Sequence, residues 1–203
     1  MTMTEDDLTQ GGQVRPITRW GTPVMHQPTE PVTEFDEELH TLVRDMFATM
    51  RASEGVGLAA TQVGVGKAVF IYECPDADDT IHIGVVCNPT VTLPEGAARQ
   101  LESADEGCLS YPGGYAVLAR PDQAVCTGQD AFGNDVTVVG TGLLSRCLQH
   151  ETDHLNGTVF GDRLSARLRR QLDAKVTELA WRYPDDWPVS PKATHATPPG
   201  ATA

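Results

Sequence analysis

The chain has 203 residues, 40% of them hydrophobic, which suits one domain built around one core. Its 28 acidic and 15 basic residues give a formal net charge of −13, spread along the sequence, which argues against a phosphate backbone or an anionic membrane as partner. The first nine residues carry Glu5, Asp6 and Asp7 and no apolar run. No window approaches a membrane span, and five cysteines without a CxxC pair suit free thiols in a reducing compartment, so the expected location is the cytoplasm.

Residues 1–14 read as a flexible acidic tail. From Glu34 to Ala52, Phe35, Leu39, Leu42, Val43, Met46, Phe47 and Met50 recur at three- and four-residue steps and predict a helix with one apolar face. Thr33 is its expected N-cap, and His40 is expected to face solvent. A glycine-rich link, Glu54 to Gly66, follows. Short β-like runs come next at Ala68–Tyr72, Ile81–Cys87, Tyr115–Leu118, Ala124–Thr127 and Val136–Val139, with Gly133-Asn134 suited to a hairpin between the last two. His82 lies in one run and reads as packing or solvated. A second helix is predicted from Gly142 to Leu155, stopped by Asn156-Gly157, and a third from Ala166 to Trp181. Residues 184–203, rich in Pro, Ala and Thr, read as a second tail that holds His195. A helix, several β-runs and two helices point to an α+β domain over residues 15–183.

The segment with a chemical signature is His150-Glu151-Thr152-Asp153-His154. On a helix, positions i and i+4 share a face, so both imidazoles can meet one ion, and Glu151 can reach a water there without ligating. Thr152 and Asp153 read as solvated. A catalytic metal needs a third protein ligand and an open position. A metzincin-type continuation fails, because Phe160 stands where the third histidine belongs. Glu178 is available in the manner of thermolysin-like sites, but on a polar helix. Cys108, in Glu106-Gly107-Cys108-Leu109-Ser110, is the better candidate, because unlike Cys87 and Cys126 it lies outside any apolar run.

Gly55-Val56-Gly57-Leu58-Ala59-Ala60-Thr61-Gln62, then Glu106 to Ser110, then Gln149-His150-Glu151-Thr152-Asp153-His154-Leu155 resemble, in that order, the three motifs of peptide deformylases. The resemblance spans about residues 15 to 180 and includes Arg15-Pro16-Ile17 and Arg120-Pro121. It implies mixed antiparallel β-sheets packed around a central metal-binding helix, with an N-terminal and a C-terminal helix. It implies removal of the formyl group from N-terminal formylmethionine, with Cys108, His150 and His154 holding one divalent metal, Fe(II) in the cell and replaceable by Zn or Ni.

On the same resemblance, Glu151 is general base and then general acid, while the Gln62 amide and the Leu109 backbone N–H donate to the oxyanion. Val56, Gly57 and Gly107 hold substrate backbone, and Val56, Leu144 and Cys147 are expected to help line a methionine pocket, with core packing the other reading of these apolar residues. The partners implied are N-formylmethionyl peptides and nascent chains, with the ribosome surface left open as a further contact. Two departures bear on substrate preference: Tyr115 stands where many bacterial members have Arg, and Arg146 where they have an apolar residue. A zinc endopeptidase and an inert metal-binding module are the other readings of the same histidines.

Overall fold

The computed structural model describes residues 4–194. Among them, four α-helices are α1 (Glu5–Leu8), α2 (Glu37–Ala52), α3 (Gly142–Leu155) and α4 (Ala166–Leu179). The strands are β1 (Gly57–Ala59), β2 (Val69–Pro75), β3 (Ile81–Thr92), β4 (Leu101–Gly107), β5 (Tyr115–Pro121), β6 (Gln123–Gln129) and β7 (Asp135–Thr141). Five strands form one antiparallel sheet in the order β1-β2-β3-β6-β7, and β4 and β5 pair only with each other.

The large sheet is covered on both faces. Val69 and Ile71 of β2 join Leu39, Val43 and Met46 of α2 in one apolar cluster. Phe70, Tyr72 and Cys74, of opposite parity, join Leu144, Cys147 and Leu148 of α3 in another. Strand alternation sends successive side chains to opposite faces, so a doubly covered strand reads as a continuous apolar run. Helix α3 touches all five strands of this sheet, which gives the central helix of the expected α+β arrangement.

Helix α2 starts three residues later than its spacing predicted. Asp36 is the N-cap, and its carboxylate accepts from the Glu38 and Leu39 N–H groups at 3.0 and 3.1 Å, so Thr33 lies outside the helix. His40 is buried rather than solvated, with its Nε2 2.9 Å from the Ala131 carbonyl oxygen. His82 pairs with Asp76 at 2.8 Å.

Helix α3 has the predicted bounds. It stops where Gly157 turns left-handed at φ 72°, a site where a Cβ would meet the Gln27 backbone at 2.8 Å. The Gly133-Asn134 pair lies in the β6–β7 hairpin, with Gly133 at φ 85°.

Packing extends past both expected tail boundaries. Leu8 is fully buried in the α2 cluster, and Asp45 of α2 accepts from the Gln13 N–H at 2.7 Å and the Arg15 guanidinium at 2.6 Å. At the other end Trp187 is buried in the same cluster, its carbonyl accepts from the Ile17 N–H at 2.8 Å, and Tyr183 meets it edge-on. Apolar anchors outweigh the polar composition of these segments. His195 lies outside the described residues.

Candidate metal centre and active-site cleft

Helix α3 sets His150 and His154 one turn apart on its buried side, with their Nε2 atoms 3.2 Å apart. Cys108 follows the end of β4 and brings its Sγ to 3.3 Å from His154 Nε2. Tetrahedral coordination with metal–sulfur and metal–nitrogen bonds near 2.3 and 2.0 Å requires donor separations of about 3.3–3.6 Å. The three side chains are thus spaced as ligands of one ion, and all three are buried. Among the described residues they are the group of this kind found. Glu178 is not near them; it is exposed on α4 and pairs with Lys175.

His150 Nδ1 lies 2.7 Å from Glu106 Oε1. A carboxylate only accepts, so Nδ1 carries the hydrogen, and in the neutral ring Nε2 keeps its lone pair for a cation. Burial alone would raise the Glu106 pKa, but hydrogen bonds from Arg120 and His150 outweigh it and hold the carboxyl well below its usual range. Arg120 grips Glu106 through Nε and Nη2, both at 2.7 Å, and reaches Asp153 through Nη1 at 3.0 Å. Asp153 also receives Arg163. Asp153 is therefore buried and doubly paired rather than solvated as its position suggested. Phe160, at the position that excluded a third histidine, stacks beside the His150 ring.

Glu151 is buried and its Oε2 has no hydrogen-bond partner. Burial pushes its pKa up to about 7. Gln62, in the turn Ala60–Val63, uses its carbonyl to accept from the Ala59 N–H at 2.9 Å, which turns the amide nitrogen towards Cys108 Sγ at 3.6 Å. Its side-chain orientation is thereby set.

A cleft of about 380 Å³ opens onto Cys108, His150 and Glu151 and is lined also by Val56, Gly57, Gly107, Leu109 and Gln62. The residues marked from the sequence as catalytic, backbone-holding or ligating all border this cleft except His154, which is fully buried. Cys147 lines it, but Leu144 does not: it is fully buried in the α3 cluster, and the partly exposed Leu143 takes its place. Tyr115 lies at the rim with its ring against Gly107, where a Cβ would meet it at 2.5 Å. Sequence reasoning missed Glu106, Arg120 and the wall formed by Tyr183, Trp187 and Lys192. For Glu106 and Arg120 a signal existed, since both lie inside quoted motifs. For the wall there was none.

A buried thiol and two imidazoles spaced for one ion, with a carboxylate beside them in an open cleft, define a metal-dependent hydrolase. The profile of the family described as Polypeptide deformylase matches residues 14–170. Peptide deformylase 1 of Streptomyces avermitilis is 53% identical over 173 residues, covering 85% of this chain and 80% of the relative. Peptide deformylase 2 of Streptomyces coelicolor is 49% identical, covering 84% and 93%. Among solved structures, the peptide deformylase of Legionella pneumophila superposes with a TM-score of 0.74 at 35% identity, covering 82% of this chain and 95% of that one. The Ehrlichia chaffeensis peptide deformylase in complex with actinonin gives 0.75 at 34% identity, covering 82% and 97%. The chain belongs to the polypeptide deformylase family, metal-dependent hydrolases that remove the N-formyl group from an N-terminal methionine.

Proposed function

We propose that Cys108, His150 and His154 hold one divalent ion, Fe(II) in the cell and exchangeable for Zn or Ni, and that this chain deformylates newly made proteins in the cytoplasm. The net reaction is water plus an N-formylmethionyl chain giving formate and a free amino terminus. Residues 15–183, with the flanking segments packed onto them, make the catalytic unit. No helix among the described residues is long and apolar enough to cross a membrane.

The observation that carries this reading is the convergence of one sulfur and two nitrogens within 4.8 Å of one another, with Cys108 and His150 lining the cleft. Thiolate and imidazole donors suit a borderline transition metal, and the affinity order among such ions makes the cellular metal a matter of supply. When bound, the ion supplies Lewis acidity to a carbonyl and acidifies water. The chain's own groups do the rest. Glu151 takes a proton from the attacking water and returns one to the departing amine. Gln62 Nε2 and the Leu109 N–H donate to the oxygen on which negative charge develops. The Val56 to Gly57 backbone and Gly107 hold the peptide, and Val56 and Cys147 border the methionine side chain.

The test is a formate-release assay run with metal analysis on protein purified under argon. Activity that decays in air supports Fe(II), whereas air-stable activity favours Zn or Ni. Cys108→Ala is expected to lose both metal and activity; a variant that kept both would remove Cys108 from the site. Acetate release from an acetylated peptide at the same rate as formate release would refute formyl selectivity.

A further inference from the structure

Arg146 is a buried cation that the proposed reaction does not use. It is buried on α3, one turn before His150, and borders the cleft. Its guanidinium is committed elsewhere. Nη1 donates to Glu106 Oε2 at 2.8 Å and to the Leu118 carbonyl at 2.9 Å, and Nη2 donates to the Glu102 carbonyl at 3.0 Å.

Two consequences follow from these bonds. A carboxylate offers about four acceptor positions. On Glu106 Oε1 these are taken by Arg120 Nη2 and His150 Nδ1, and on Oε2 by Arg120 Nε and Arg146 Nη1. Fully saturated, the carboxylate has one orientation, and so does the imidazole bonded to it. Glu102 lies on β4 and Leu118 on β5, so Arg146 also stitches both strands of the ribbon to α3. That ribbon pairs with no other strand, and a two-stranded ribbon is marginal by itself. Cys108 follows the end of β4, while both histidines lie on α3. The seat of the ribbon therefore sets the distance between sulfur and imidazoles.

We propose that Arg146 is a positioning residue that fixes His150 through Glu106 and seats the Cys108-bearing ribbon, and so sets the affinity of the site for a divalent ion. The inference rests on the metal assignment proposed above, and zinc uptake by the unaltered protein tests that assignment alone. Wild-type protein that bound no zinc would overturn both.

Given uptake, the experiment compares wild type, Arg146→Met, Arg146→Lys, Glu106→Gln and the Arg146→Met/Glu106→Gln pair. Zinc affinity is read by chelator competition and geometry by the absorption spectrum of the cobalt-loaded protein. Arg146→Met is expected to weaken zinc about 10- to 100-fold, to shift the cobalt spectrum, and to lower kcat more than it raises KM. Arg146→Lys, which keeps the cation but cannot span all three acceptors, should fall between. The pair should be weakened by less than the product of the two single factors, because the route through Glu106 is already lost in Glu106→Gln. Folded Arg146→Met with unchanged zinc affinity and cobalt spectrum, and a loss confined to KM, would make Arg146 a plain cleft wall. A pair weakened by the full factors of both single variants would overturn the route through Glu106. If Arg146→Met does not fold, Arg146→Lys decides by the same readouts, with unchanged zinc affinity and spectrum counting against the proposal.

Discussion

Gly57 lies so close to Glu151 that a Cβ added there would be 2.6 Å from Glu151 Oε1, and equally near Cys147 Sγ. The absence of a side chain on β1 thus makes the space in which the carboxylate sits. Gly57→Ala is expected to push Glu151 out of line and lower kcat by about 10- to 100-fold, the scale of a displacement near 1 Å. The protein should remain folded, with metal content unchanged. Steady-state kinetics and metal analysis on one preparation check this; full kcat would mean that Glu151 tolerates displacement.

Glu106 carries a buried charge shared by Arg120, Arg146 and His150. Glu106→Gln removes the charge and leaves two buried guanidinium groups short of an anion. Breaking a buried network of this kind costs about 3–5 kcal/mol. Urea unfolding of both proteins at one metal loading measures it, and a loss under about 1 kcal/mol, the level of exposed ion pairs, would show that the network is solvated.

Cys126 is fully buried, and burial pushes its thiol pKa from 9.0 up to about 12. The native state keeps this proton where the unfolded chain releases it. The stabilisation is therefore intact below pH 9 and is lost as pH rises from 9 towards 12. Cys87, raised to about 12 by burial and then by Asp130, acts in the same direction. Cys126→Ala should be less stable at pH 7, from lost packing, yet lose less stability between pH 9 and 11. Parallel pH curves for the variant and wild type would assign the alkaline weakening to other groups.

Trp187 lies beyond the stretch matched by the family profile, yet it packs into the α2 cluster and lines the cleft. Trp187→Ala is expected to cost about 3–5 kcal/mol and to raise KM for formylated peptides. Thermal unfolding and kinetics test the two effects separately, and an unchanged KM would leave Trp187 as an anchor only.

Helices α2, α3 and α4 were legible because apolar spacing at three and four residues survives in a single sequence, and stop signals such as Asn156-Gly157 mark an end. Strand β4, LESADEG, was not, because its one large apolar residue, Leu101, is exposed and its buried residue is Glu106. Polar pairing rather than hydrophobic patterning holds that strand in place. The same limit explains Asp153 and His40, whose burial depends on Arg120 and on the Ala131 carbonyl, 33 and 91 positions away. The three site motifs were legible because each packs its functional residues within a few positions. The arginines that organise them become visible only once helix and ribbon are brought together.

Strand β2 serves as a party wall between two cores, with 69–72 buried whichever way each side chain points. No parity along it is free to vary, whereas Val139 on β7 is 65% exposed. In a saturation library, polar substitutions should be rejected at every one of those four positions, while β7 should show the every-other-residue permissiveness of a strand with one open side. Evolutionary drift in this fold would accordingly be channelled to its outer strand.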